Sequence, residues 1–172
     1  EHVAEMSDAA GTSWLDVGAR AWSDDLLAAT GLQRAQMPHL VEGSEASGML
    51  RRDLAARFGM RGDVVIAGGG GDNAASAIGV GVVRGGEAFV SLGTSGVLFA
   101  ASDAYQPDPA SAVHSFCHAV PKTWHQMGVI LAASDALSWF GRVLGAAPAD
   151  MTSGLGPLQA PSSTLFLPYL GG

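Results

Sequence analysis

The sequence is poor in cysteine, in basic residues and in long apolar runs, and each shortage excludes a class of protein. Its one cysteine, Cys117, rules out an internal disulfide framework and fits a reducing compartment. Nine Lys and Arg stand against sixteen Asp and Glu, and the basic residues do not cluster beyond Arg51-Arg52, so no nucleic-acid-binding stripe is indicated. No apolar run approaches the roughly 18 residues that span a bilayer, and Glu1-His2-Val3 does not begin a signal peptide. These absences predict a cytoplasmic protein that binds neither nucleic acid nor a membrane.

Apolar residues are abundant instead. Hydrophobic residues make up 48% of the 172 positions and charged residues only 15%, so the chain can bury a sizeable core and is not expected to be disordered. A chain of this length forms one full domain or parts of two.

The stretch from Val64 to Ala75 is the most informative part of the chain. An apolar, β-branched run predicts a buried strand, the four glycines 68–71 follow, and Asp72 then opens a small-residue helix over Ala74–Gly81. Glycines let a ligand approach the backbone closely, and a helix N-terminus presents free N–H groups. Asp72 is therefore a candidate carboxylate base facing a pocket. The alternative is that Asp72 only caps the helix.

A second glycine-rich loop follows about twenty residues later. Strand-like runs at Ala88–Leu92 and Val97–Ala101 flank Gly93-Thr94-Ser95-Gly96, which predicts a hairpin with a glycine-rich tip. Such a tip offers backbone N–H groups and hydroxyls, the donors that a phosphate chain needs. An ordinary turn is the alternative, because hydroxyls in such hairpins often satisfy only the turn itself. Paired with the Asp72 loop, this tip becomes half of a two-part site.

The remaining patterns predict short helices and strands and one domain junction. The period of the apolar residues changes from helical to strand-like near Gly85, where we place the junction. The predicted helices are Ser23–Thr30, with Ser23 as N-cap, Glu45–Phe58 and Ile130–Leu144, and the predicted strands include Ser13–Val17, Ser115–Ala119 and Trp124–Met127.

A group of histidines and the cysteine also suggests a metal site. His114, Cys117, His118 and His125 lie close in sequence, and thiols and imidazoles are zinc ligands. A strand over Ser115–Ala119 would place Cys117 and His118 on opposite faces, which argues against a shared ion. We therefore favour structural packing and predict no metal-ligating residue.

Several blocks together resemble the FGGY family of carbohydrate kinases, and they occur in the family's order from one end of the chain to the other. They are Ser7–Asp16, Gln36-Met37-Pro38, Gly43-Ser44, Gly69–Ala75, Ser91–Gly96, Ser111–His118 and Phe166–Leu170. The family's opening Asp-x-Gly-Thr loop and its later adenosine-binding motif have no match. We therefore expect a central fragment of a longer chain, inactive on its own.

The resemblance implies an α/β architecture with the ribonuclease-H-like, actin-like ATPase fold, in which parts of two domains flank a catalytic cleft. Residues 1–84 would belong to the first, sugar-binding domain and residues 85–172 to the second, nucleotide-binding domain. By the same resemblance, Asp72 is the catalytic base and Asn73 hydrogen-bonds the sugar, while Gly93, Thr94 and Ser95 form a phosphate loop. Asp8 and Thr12 are structural, with a secondary role in the sugar cleft as the alternative.

The implied activity is ATP-dependent phosphorylation of a sugar at its terminal hydroxyl, with D-xylulose as the expected substrate. ATP and Mg²⁺ are the implied cofactors, and a homodimer is the assembly that the resemblance leaves open. Another ketopentose or polyol is the alternative substrate. A truncated, non-catalytic member of the family is the alternative function.

Overall fold

The chain alternates short strands with short helices, as its alternating apolar runs and small-residue segments favour. A computed structural model describes residues 2–157, 159–160 and 162–170. The strands are β1 (Val3–Glu5), β2 (Leu15–Asp16), β3 (Ala21–Trp22), β4 (His39–Val41), β5 (Ala46–Met49), β6 (Val65–Ala67), β7 (Ala88–Leu92), β8 (Gly96–Ser102), β9 (His114–Cys117) and β10 (Trp124–Ile130). The α-helices are α1 (Met6–Ala9), α2 (Asp24–Ala29), α3 (Arg52–Arg57), α4 (Asp72–Gly79), α5 (Ser134–Leu144) and α6 (Pro148–Ser153), with 3₁₀ turns at Ala10–Thr12 and Arg34–Gln36.

The strands pair in small sheets. β1 lies parallel to β4, whereas β2 with β3 and β5 with β6 form antiparallel pairs. Within the described residues, the largest sheet has the order β7-β8-β10-β9, and β9 and β10 are antiparallel, with Phe116 opposite His125. The hairpin predicted around residues 93–96 is confirmed as the connection between β7 and β8.

Two compact units can be distinguished by contacts along the chain. The first comprises Glu1–Phe89 and Phe99–Met127, and the second comprises Val90–Leu98 and Gly128–Gly172. The apolar core of the first unit is a cluster of buried side chains from α1, the turn after it, β2, β3, α2 and β9: Met6, Ala9, Ala10, Leu15, Trp22, Leu27 and Cys117. This core fixes α1 against β9, which matters for the pocket described below.

Helix α2 forms as predicted because its first turn is capped. The Ser23 hydroxyl accepts a hydrogen bond from the Leu26 N–H, Asp24 and Asp25 occupy the positively polarised first turn, and Gly31 follows with φ +74°.

Two predicted helices are wrong at their N-terminal ends. In the segment 45–58, residues Ala46–Met49 form β5 against β6, and only Arg52–Arg57 is helical. Met49 and Phe58 are 55% and 62% exposed. Likewise β10 runs to Ile130, so α5 begins at Ser134 rather than at Ile130. The predicted strand Ser13–Val17 shortens to β2, because Ser13 has φ 67° at the end of a 3₁₀ turn.

Candidate functional site

A pocket of about 160 Å³ lies in the first unit, at the N-terminus of α4. This volume is below the roughly 300–1,000 Å³ of sites for drug-sized ligands, so it suits a small molecule. Three segments supply the lining: the first contributes Ser7, Asp8 and Gly11, the second Gly71, Asp72, Asn73 and Ala74, and the third Phe116, His125 and Met127.

Asp72 is the first residue of α4 and is exposed at this pocket. It does not cap the helix: Gly71 occupies the N-cap position. Asp72 Oδ1 instead accepts hydrogen bonds from the backbone N–H of Asn73 at 2.7 Å and from its side-chain Nδ2 at 3.2 Å. The carboxylate is therefore held through one oxygen and presented to the pocket. The structure brings Asp72 and Asn73 together as a hydrogen-bonded pair.

The glycine run before Asp72 is required by close backbone packing. Gly69 donates its N–H to the carbonyl oxygen of Gly43 at 3.0 Å, and a Cβ at Gly43 would come within 2.7 Å of the Gly69 carbonyl oxygen. A Cβ at Gly68 would collide with the Glu42 carbonyl oxygen and lie 3.1 Å from a methyl group of Val41. The loop that leads to Asp72 therefore packs closely against the segment 41–43, with no space for a side chain at Gly43 or Gly68, while Gly69 adopts φ +99°, which side chains disfavour.

A hydrogen-bonded chain of side chains joins this loop to α1. The Ser7 hydroxyl donates to Glu5 Oε2 at 2.6 Å and accepts from the Gly71 N–H at 2.9 Å. Glu5 Oε2 also accepts the N–H of Asp8 at 3.1 Å and so caps α1.

His125, which lines the pocket, and the neighbouring His118 are both buried. His125 is 4% exposed and stacks on Phe99 with ring centroids 4.1 Å apart. Burial, together with the neighbouring His118, lowers the pKa of His125 from its ordinary 6.5 to about 4. His118 Nδ1 accepts from the Val120 N–H, so its Nε2 carries the proton and donates to the Val82 carbonyl oxygen at 3.1 Å. Burial likewise lowers the pKa of His118, and both rings are neutral at pH 7.

The predicted phosphate loop lies in the second unit, as the turn between β7 and β8. Gly93 donates its N–H to the Ser95 carbonyl oxygen at 2.8 Å, which closes the turn. The carbonyl oxygens of Gly93 and Thr94 accept N–H groups at the start of α5, from Ser134 at 3.0 Å and from Ala133 at 2.8 Å. The Gly93 backbone therefore shapes the turn, and Thr94 and Ser95 are exposed.

Sequence reasoning missed most of the pocket wall. Ser7, Gly11, Phe116, His125 and Met127 were not predicted to contribute to a site. Part of the signal was available: His125 and Met127 are two residues apart on β10, so they share a face, and Phe116 stands opposite His125.

Two other candidate sites, a metal centre and a larger cavity, have less support. Within the described parts of the chain, no group of three or more His, Cys, Asp and Glu side chains could hold a metal ion. A larger cavity of about 700 Å³ lies between the end of β10, Asp135 and residues 168–170, but none of the predicted site residues lines it. None of the described helices has the length and apolar character needed to cross a membrane.

The comparisons with known proteins agree on one family. Residues 1–79 match the N-terminal domain of the FGGY family of carbohydrate kinases. The part of the chain that this family model covers belongs to the FGGY family, as the resemblance of the motifs implied.

Two relatives that match the whole chain are described as a xylulose kinase and a xyloylose kinase. The chain is 49% identical to the xylulose kinase of Escherichia coli (strain K12) over an alignment of 174 positions. This alignment covers 100% of this chain and 36% of that protein. It is 63% identical to the structure of a xyloylose kinase from Brucella ovis, with a TM-score of 0.92, covering 100% of this chain and 36% of that one. The chain therefore spans about a third of the length of the relatives it matches.

More distant structures support the fold alone. A ligand-bound xylulose kinase from Lactobacillus acidophilus has a TM-score of 0.76 at 22% identity, covering 88% of this chain and 31% of that one. The predicted fold class, an α/β arrangement of the ribonuclease-H-like, actin-like ATPase type, is confirmed.

Proposed function

We propose that this chain is the segment of an ATP-dependent sugar kinase that carries the catalytic base, and that D-xylulose is the sugar. The observation that carries the proposal is the exposed Asp72 carboxylate at the start of α4, which is held through Oδ1 by Asn73 and lines a small pocket. The xylulose kinases that the chain resembles over its whole length support the choice of sugar.

In the proposed reaction, Asp72 accepts the proton of the terminal sugar hydroxyl as that oxygen attacks the γ-phosphorus of ATP. The new O–P bond forms, the bond from the γ-phosphorus to the bridging oxygen breaks, and ADP leaves with the electron pair. Phosphoryl transfer depends mainly on positioning and charge stabilisation, so one oriented carboxylate suffices as the base. Asn73 would contribute a sugar hydrogen bond in addition to orienting Asp72.

ATP would enter as its magnesium complex. The described residues contain no cluster that could form a protein cage for the ion, and Mg²⁺ usually takes much of its coordination from substrate phosphates and water. We propose that Thr94 and Ser95 contact the phosphates through their exposed hydroxyl groups, with Gly93 holding the turn. We assign residues 1–84 to the sugar-binding domain and residues 85–172 to the nucleotide-binding domain. This assignment places the proposed base in the first domain and the proposed phosphate loop in the second.

The first test is turnover by the full-length parent protein with MgATP and a panel of D-xylulose, L-xylulose, D-ribulose, glycerol and gluconate. Asp72→Asn should lower kcat about 100-fold or more while sugar binding is largely retained, because a general base typically contributes about that factor or more. Asp8→Asn removes the same charge from the same pocket, so it shows whether the loss of kcat is specific to Asp72.

Each outcome of this test has one meaning. Strong turnover with D-xylulose that depends on Asp72 and not on Asp8 supports the proposal. Turnover of only another sugar would move the proposal to that ketopentose or polyol. Near-normal kcat in Asp72→Asn would remove Asp72 from its role, and no turnover by folded protein with any sugar would favour a non-catalytic member of the family.

The phosphate loop is tested separately. Thr94→Ala should raise the KM for ATP more than the KM for the sugar, because the hydroxyl is proposed to contact phosphate. Ser95→Ala in the same turn shows whether one or both hydroxyl groups take part. An unchanged KM for ATP and an unchanged kcat in both variants would contradict the assignment.

A further inference from the structure

The strongest unexplained feature near the pocket is the pair Glu5 and Ser7. Both side chains belong to α1 or to its cap, both residues are less than a tenth exposed, and both are polar. Burying a carboxylate and a hydroxyl carries a desolvation cost that hydrogen bonds must offset. The two side chains are hydrogen-bonded to each other. Glu5 also accepts the Asp8 N–H, and Ser7 accepts the Gly71 N–H of the loop that carries Asp72.

The geometry gives the Ser7 hydroxyl a fixed direction. Its proton goes to Glu5 Oε2 at 2.6 Å, a length typical of a hydrogen bond to a charged oxygen. With the proton committed, its oxygen lone pairs are left to accept the Gly71 N–H at 2.9 Å. Glu5 is itself fixed, because Oε2 also accepts the N–H of Asp8.

These hydrogen bonds reach the site through Gly71. It is the N-cap of α4 and immediately precedes Asp72, and it has no side chain with which to hold the first turn. The hydroxyl of a residue 64 positions earlier therefore anchors the backbone from which Asp72 projects.

We propose that Glu5 and Ser7 are positioning residues that set the place of the Asp72 carboxylate through the Gly71 N–H. The inference rests on the proposed role of Asp72 as base. Without the Ser7 hydroxyl, Gly71 loses its anchor and the first turn of α4 can shift toward the pocket or away from it. A displacement of about 1 Å at a reacting group can cost about 100-fold in rate.

The test compares two serine substitutions in the full-length protein. Ser7→Ala should lower kcat by about 10- to 100-fold, and by a larger factor than it raises the KM for sugar. Ser115→Ala is the matched control. Ser115 lies on β9 next to the pocket residue Phe116, and its hydroxyl oxygen is buried but has no hydrogen-bond partner among the described residues. Ser115→Ala should leave kcat unchanged.

A double variant separates positioning from a general loss of structure. If Ser7 acts through Asp72, Ser7→Ala should have no further effect on kcat in the Asp72→Asn background. Glu5→Gln should retain most of the activity, because its amide oxygen can still accept from Ser7. If Ser7→Ala does not fold, Ser7→Cys provides the same comparison with a weakly hydrogen-bonding thiol of nearly equal size.

The outcomes also separate this inference from the proposed function. Normal kcat in Asp72→Asn overturns the proposed base, and the positioning role with it. A large loss in Asp72→Asn, together with equal kcat for Ser7→Ala and Ser115→Ala, overturns the positioning role alone. The positioning role is also overturned if Ser7→Ala lowers kcat by the same factor in the Asp72→Asn background as in the parent protein.

Discussion

At the scale of single residues, the buried imidazole of His125 makes the stability of the fold depend on pH. The folded state holds this ring neutral down to about pH 4, whereas in the unfolded chain it takes up a proton near its ordinary pKa of 6.5. Between these values the unfolded state binds more protons than the folded state. The free energy of unfolding should therefore fall as the pH falls from about 6.5 to about 4, by up to about 3 kcal/mol.

Urea unfolding at a series of pH values measures this effect. His125→Phe is the matched variant, because a phenyl ring can stack on Phe99 and pack against Phe116 without titrating. Its pH dependence in the same window should be flatter than that of the parent sequence. Equal slopes for the two proteins would show that His125 does not titrate as the structure implies. Exposed carboxylates also titrate at low pH, for example Asp24, whose pKa the Arg34 guanidinium lowers. Their contribution to the pH dependence is the same in both proteins and cancels in the comparison.

At this scale the sequence could predict only the proximity of residues that are neighbours along the chain. Asp72 and Asn73 are adjacent at a helix start, so their proximity needs no tertiary structure. Ser7 meets Gly71 only after β1 and α1 have packed against the glycine loop, and no local pattern encodes that contact. The roles of Asp72, Asn73, Gly93, Thr94 and Ser95 stay predictions until the variants are measured.

At the scale of elements, α4 and the glycine loop before it should respond oppositely to the same substitution. Gly68→Ala would push a Cβ into the Glu42 carbonyl oxygen, and backbone on both sides cannot easily give way, so we expect a loss of more than about 2 kcal/mol. Gly79→Ala, in the last turn of α4, meets nothing within 4 Å and should stabilise the helix by about 0.5–1 kcal/mol.

Thermal or urea unfolding of the two variants checks both signs in one experiment. A mild effect of Gly68→Ala would mean that the loop can move away from the segment 41–43. A destabilising Gly79→Ala would indicate a packing constraint that the described structure lacks.

The errors at the element scale have a shared cause. Segment 45–58 has helical spacing of apolar residues, but the backbone of Ala46–Met49 gains a partner strand in β6, and pairing outweighs the weak preference of the sequence. The start of α5 was placed too early because an apolar run such as Val129–Ile130 fits a strand end and a helix start equally well. Where a local cap decides, as with Ser23 at α2, the prediction was confirmed.

At the scale of the whole molecule, the exposed apolar surface is large for a chain that stands alone. All three residues of β6 are exposed, and Leu92 and Leu131 are 72% and 82% exposed. Contiguous exposed apolar patches mark interaction surfaces or aggregation sites. The chain spans about a third of its relatives' length, so we expect further residues of a longer parent protein to cover these side chains.

The 172-residue chain expressed alone should therefore bind a hydrophobic dye such as ANS and self-associate, whereas a parent protein of the relatives' length should do neither. Val65→Thr, which keeps the shape of the side chain and replaces one methyl group by a hydroxyl, should weaken dye binding by the isolated chain. Light scattering and dye fluorescence report the two effects. A monodisperse isolated chain without dye binding would contradict the expectation. The same sample tests the prediction that this chain alone transfers no phosphate.

The contact between Gly43 and the glycine run at residues 68–69 has a genetic consequence. Any missense change in a glycine codon adds at least one side-chain carbon, so at Gly43 and Gly68 no amino-acid replacement is mild. A library that samples every codon of the parent gene under selection for sugar use should lose nearly all replacements at these two positions. At Gly79, where a side chain meets open space, most replacements should survive.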